Sequence, residues 1–145
     1  CIMTEKGGNH WLQTIYYPFY YFANYAKGIV MKTMSDGPAY SCKAFPKISY
    51  IDSLSVWNKE ENELVFFAVN RDEFSKQVIS LQLSDFVSEK VIESISMTAD
   101  DKKMTNQYNH EAVKPKTVNN AKINNQEVKI ELEPLSFNMV RIKIK

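Results

Sequence analysis

Residues Trp11 to Gly28 (WLQTIYYPFYYFANYAKG) constrain the fold more than any other stretch, because six of the seven residues from Tyr16 to Phe22 are aromatic and the seventh is Pro18. Proline is tolerated in the first helical turn, where its missing N–H has no intrahelical acceptor, and glycine favours the position just past a helix end. The segment therefore predicts a short helix over about Tyr17 to Lys27. Ile15, Phe19, Phe22 and Ala26 share one face at helical spacing, while Tyr16, Tyr20 and Tyr21 carry aromatic surface onto other faces. A helix apolar nearly all round predicts burial on more than one side, as a wedge between this domain and a second body.

After Gly28 the apolar period changes from 3.6 to two. Ile29 to Met34 reads as a strand ended by the turn signal Ser35 to Pro38, and Tyr40 to Ala44 as an edge piece. Ile48 to Trp57 alternates, with a bend or bulge expected near Asp52. The loop Asn58 to Asn62 then leads into Glu63 to Asn70 (ELVFFAVN), which is apolar on both faces, as a central sandwich strand would be. Val78 to Leu83 and Lys90 to Thr98 read as further strands. In the second, Val91, Glu93, Ile95 and Met97 share one face. The Asn-rich Thr117 to Gln126 reads as loop with one short strand, and Glu127 to Leu132 with Phe137 to Ile144 as a closing hairpin. Roughly eight short strands and one helix predict a mainly β chain, an antiparallel β-sandwich or jelly roll.

The 145 residues suit one domain with a real core, and 44% hydrophobic with 24% charged residues argues against disorder. A net charge of +1, with both signs interspersed, gives no reason to expect nucleic acid or an anionic membrane as partner. No apolar run reaches the roughly 18–20 residues of a membrane span. Cys1 and Cys42 lack metal spacing and cannot form a disulfide framework, and no Asn-x-Ser/Thr sequon occurs, which together point to a reducing compartment and a cytoplasmic location. The absence of an initiator Met before Cys1 points to processing or truncation.

Catalytic apparatus is hard to find. His10 and His110 lie in polar loops without second ligands at metal spacing, Gly7-Gly8 opens no phosphate loop, and there is no nucleophile elbow. Glu60, Glu61 and Glu63 read as loop charge, as do Asp100 and Asp101. Asn70-Arg71-Asp72 ends a strand, where Arg71 could clamp a carboxylate in a structural role. No catalytic residue, cofactor or metal is expected within these residues.

Four separated motifs carry a resemblance. IMTEKGGNHWLQTIYYPF, followed by Gly28, resembles the end of the catalytic barrel in the α-L-arabinofuranosidases of glycoside hydrolase family 51, and Leu64 to Arg71 (LVFFAVNR), Leu83 to Phe86 and Glu133 to Ile142 (EPLSFNMVRI) resemble that family's C-terminal domain in order. Leu12 stands where a basic residue is common, Cys1 where proline is usual, and Phe137 where tryptophan is typical. The resemblance implies that residues 1-28 are the last strand and helix of a (β/α)8 barrel and 29-145 an accessory sandwich. It implies a parent exo-acting retaining glycosidase releasing terminal L-arabinofuranosyl groups from arabinan or arabinoxylan, its two glutamates lying upstream. The piece itself would be inactive, bracing its own barrel and supporting homo-oligomer contacts. Trp11 and Gln13, following the last barrel strand, become candidates for the substrate rim. Tyr16, Phe19, Tyr20 and Phe22 become candidates for the interface between domains. A stand-alone carbohydrate-binding or adhesive sandwich is the alternative; a binding module would call for aromatic residues aligned on an exposed sheet face.

Overall fold

The structure, a computed structural model, describes residues 1–145. A hairpin of β1 (Ile2–Thr4) and β2 (His10–Leu12) precedes α1 (Tyr16–Tyr25). Then follow β3 (Ile29–Met31), β4 (Ala39–Cys42), β5 (Phe45–Ser49), β6 (Ile51–Asn58), β7 (Glu63–Asn70) and β8 (Gln77–Gln82). The chain ends with β9 (Ser88–Met97), β10 (Lys116–Thr117), β11 (Ala121–Asn124), β12 (Glu127–Leu132) and β13 (Ser136–Ile144). A six-stranded sheet in the order β10-β9-β13-β7-β6-β3 and a three-stranded sheet in the order β11-β12-β8 form an antiparallel sandwich.

Strand β7 explains the layering. Successive side chains point to opposite faces, so Leu64, Phe66 and Ala68 meet Val128, Ile130 and Leu132 of the small sheet, alongside Val140 and Ile142. Val65 and Phe67 point the other way, into a second cluster with Ile95, Met97, Phe137 and Met139 that is roofed by Tyr21, Phe22 and Tyr25 of α1. The molecule therefore has three layers, with the large sheet in the middle. This is why ELVFFAVN is apolar on both faces. Burying Phe66 and Phe67, each 2% exposed, stabilises by roughly 2–3 kcal/mol per ring.

Several local expectations are corrected. The helix runs from Tyr16 to Tyr25 and not to Lys27, its end marked by the Ala26 N–H donating to Phe22 O at 3.0 Å. No residue of α1 is fully buried, because only one of its faces is covered. Gly28 has a different task from capping: its φ is +141°, and a Cβ there would lie 2.1 Å from the Trp57 carbonyl oxygen, so glycine lets the chain pass tightly beside β6. The segment His10–Leu12, read as loop running into helix, is a strand that pairs antiparallel with β1, in register Met3↔Trp11. The expected bend near Asp52 falls at Tyr50, which separates β5 from β6.

In β9 a bulge at Ile92 shifts the register against β13, so that Arg141 faces Glu93 but Ile142 faces Val91. Val91 consequently packs with the small-sheet core while Ile95 and Met97 join the helix side. Simple alternation across Lys90 to Thr98 cannot anticipate that switch. The closing strands are also no hairpin: β12 pairs with β8 and β11, whereas β13 pairs with β7 and β9, so the connection through Leu135 (φ +46°) crosses between sheets.

Candidate functional site

Glu63, Glu93 and Asp72 are held in structural roles. The Glu63 carboxylate receives Arg141 through Nη2 at 2.8 Å and Nε at 3.1 Å, and Glu93 accepts from Arg141 Nη1 at 3.2 Å. The same guanidinium lies 4.7 Å from the Tyr25 ring centroid, tying the end of α1 to the sheet. Burial works against the charge of Arg141, but the hydrogen bonds of Glu63 and Glu93 outweigh it and raise its pKa. Asp72 accepts backbone N–H groups of Phe74 at 2.9 Å and Ser75 at 3.0 Å, and the Gln77 amide at 3.0 Å. Arg71, as expected of a strand-end clamp, pairs with Asp52 and donates to Ser49 O. His10 and His110 are exposed, and no cluster of His, Cys, Asp or Glu could hold a metal ion.

What remains is the surface made by the hairpin, α1 and the loop before β10. Trp11 and Gln13 sit half-buried at the end of the hairpin. The Trp11 indole N–H is shielded from solvent and meets no acceptor within the chain. The Gln13 amide donates to Asn106 O at 3.3 Å. Asn106, 1% exposed, donates through Nδ2 to Leu12 O at 3.1 Å and Val113 O at 2.8 Å, while its Oδ1 accepts the Val113 N–H at 2.8 Å. Sequence reading missed this residue. It lies in a polar loop and looks like any other loop asparagine until the fold brings Leu12 beside it.

Helix α1 has an inner and an outer face. Phe22 stacks on Phe67 with centroids 4.2 Å apart, and Tyr21 lies 6.5 Å from Phe137. Burial, followed by the charge of Glu111 for Tyr17 and of Glu93 for Tyr21, raises both phenol pKa values. Outward, Ile15, Phe19 and Tyr20 are 54%, 61% and 45% exposed. Tyr16 and Tyr20 stack at 6.1 Å along one flank, where they border a groove of about 330 Å³ closed by Glu111, Lys114 and Pro115. Of the four interface candidates, then, Phe19 and Tyr20 face outward, Tyr16 lines the flank, and Phe22 faces the sandwich.

A larger cleft of about 640 Å³ opens between the sheets along β6 and β8, lined by Ser53, Ser55, Ile51, Phe66, Ile79 and Leu81 among others. Hydroxyl, amide and apolar groups make most of its walls, and Lys32, Asp36 and Asp85 also line it.

The model of the α-L-arabinofuranosidase C-terminal domain matches residues 1–136. An intracellular exo-α-(1→5)-L-arabinofuranosidase of Bacillus subtilis is 34% identical over 98% of this chain and 28% of its own length. A second, from Halalkalibacterium halodurans, is 32% identical over 97% of the chain and 28% of its length. A family 51 α-L-arabinofuranosidase from Bifidobacterium longum superposes with a TM-score of 0.88 at 26% identity, over 97% of this chain and 28% of that one. The chain thus spans less than a third of the length of these relatives.

Proposed function

The chain belongs to the α-L-arabinofuranosidase C-terminal domain family, and we propose that it works as the closing part of a longer retaining exo-α-L-arabinofuranosidase. In this reading residues 1-28 are the last strand and helix of the catalytic barrel and residues 29-145 the accessory sandwich. The observation that carries the place in a longer enzyme is the family match over residues 1–136, which takes in the hairpin and α1 as well as most of the sandwich. The two-faced helix supports it. One side of α1 is locked to the sandwich by Phe22 and Tyr21, and the other presents Ile15, Phe19 and Tyr20 for a second body. A barrel outer layer is made of helices packed in this way.

The parent enzyme would release terminal L-arabinofuranosyl groups from arabinan or arabinoxylan. Retention calls for two carboxyl groups roughly 5–5.5 Å apart, which the resemblance to family 51 enzymes implies are supplied from outside these residues. The chain's own work is to brace the barrel and to contribute contacts between copies, with Trp11 and Gln13 on the rim of the sugar site at the barrel's C-terminal face. A cytoplasmic location fits the intracellular relatives.

Hydrolysis of an aryl α-L-arabinofuranoside tests the reading. A longer polypeptide containing these residues should turn it over, and the 145 residues alone should give no rate above buffer. Turnover by the isolated chain that disappears when one of its own carboxylates is replaced would overturn the assignment. So would tight binding of arabinan by the isolated chain together with a catalytically silent longer polypeptide.

A further inference from the structure

Both hydrogen bonds that join residues 1–15 to the sandwich pass through Asn106. Its Nδ2 donates to Leu12 O at 3.1 Å, and its backbone oxygen accepts the Gln13 amide at 3.3 Å. The same side chain closes its own loop on Val113 with a donor and an acceptor contact, each 2.8 Å. Both amide hydrogens and the carbonyl oxygen are therefore engaged, and the buried group cannot turn over without placing like against like. Leu12 ends β2 directly after Trp11, whose partner across the hairpin is Met3. A clamp on Leu12 and Gln13 thus fixes the strand from which the Trp11 ring projects.

We propose that Asn106 is a positioning residue for substrate binding, holding the β1–β2 hairpin and its Trp11 ring at the rim of the sugar site from the sandwich side. The inference rests on the rim role of Trp11 given under Proposed function. It assigns the sandwich a direct part in the geometry of sugar recognition, in addition to bracing.

The test uses the longer arabinofuranosidase and an α-L-arabino-oligosaccharide. Asn106→Ala removes the side-chain bond to Leu12 O and leaves the backbone oxygen that accepts Gln13; Asn106→Asp keeps the shape and the acceptor for the Val113 N–H but loses the donors to Leu12 O and Val113 O. Each should raise KM about 3- to 10-fold with kcat within about twofold, since only binding geometry is disturbed. Combined with Trp11→Ala, either should add little to the effect of Trp11→Ala alone, because both act through one ring. Unchanged KM in both Asn106 variants, or effects that multiply in full with Trp11→Ala, would overturn the inference. Loss of folded enzyme in both variants would also overturn it, because Asn106 would then hold the fold and not the rim. A Trp11→Ala enzyme with unaltered KM and kcat would instead remove the rim reading itself, and the inference with it.

Discussion

Arg141 joins three elements through one guanidinium: Glu63 of β7, Glu93 of β9 and the ring of Tyr25 at the end of α1. The Glu63 side chain is only 11% exposed, so stranding it would be costly. Arg141→Met keeps the stem and removes the charge. It should lower stability by about 2 kcal/mol, less than the roughly 3–5 of a fully buried pair because Glu93 keeps solvent contact. Urea unfolding measures this, and a midpoint equal to that of the parent would show the cluster to be neutral. Asp72 makes a separate prediction. Its pKa lies below the ordinary 3.8, first because of the Phe74 N–H bond. A depressed folded-state value means stability that is present above the unfolded pKa and lost as pH falls through the folded one. Asp72→Asn should therefore melt below the parent at pH 6, and the gap between the two melting temperatures should narrow as the pH falls below 3.8 and through the lowered pKa. At this scale little was legible in advance. The clamp of Arg71 could be read from its place at a strand end, but Asn106 and Arg141 find their partners 93 and 78 residues away, through pairings that no local pattern encodes.

At the scale of elements, α1 is held by aromatic packing. Phe22→Ala removes the ring stacked 4.2 Å from Phe67 and should cost about 2–3 kcal/mol, below the range for fully buried phenylalanine because Phe22 is partly exposed. Hydrogen exchange should then show faster exchange of the amides of residues 19–26, with the β7–β13 ladder still protected, since the two sheets share their own core of Leu64, Phe66, Ile130 and Val140. Gly28→Ala should cost at least about 1–2 kcal/mol from its left-handed φ and the clash with the Trp57 carbonyl. Thermal unfolding checks both. Elements with strong periodicity were legible: the helix, the two-faced β7 and the alternation of β13. The bulge at Ile92 and the sheet change at Leu135 were not, because each turns on pairing partners distant in sequence. The strand His10–Leu12 was hidden for a related reason: three residues carry too little pattern without their partner β1.

At the scale of the whole molecule, the aromatic helix reads from sequence as a wedge between two bodies, and the sandwich is one of them. The sandwich covers Tyr21, Phe22 and Tyr25, while Ile15, Phe19 and Tyr20 remain outside. Family, fold class and the position of α1 were legible because they rest on local motifs and apolar period. The surroundings proposed as a rim have no local signature, because Gln13 and Leu12 meet Asn106 across 93 and 94 residues. Hydroxyl-radical footprinting of Phe19 and Tyr20 tests the central claim most directly, comparing the dilute isolated chain with the longer polypeptide. Both rings should be labelled readily in the isolated chain and protected several-fold in the longer one, while Phe22 reacts slowly in each. Equal labelling of Phe19 and Tyr20 in the two would mean that no second body covers α1, and would contradict the account.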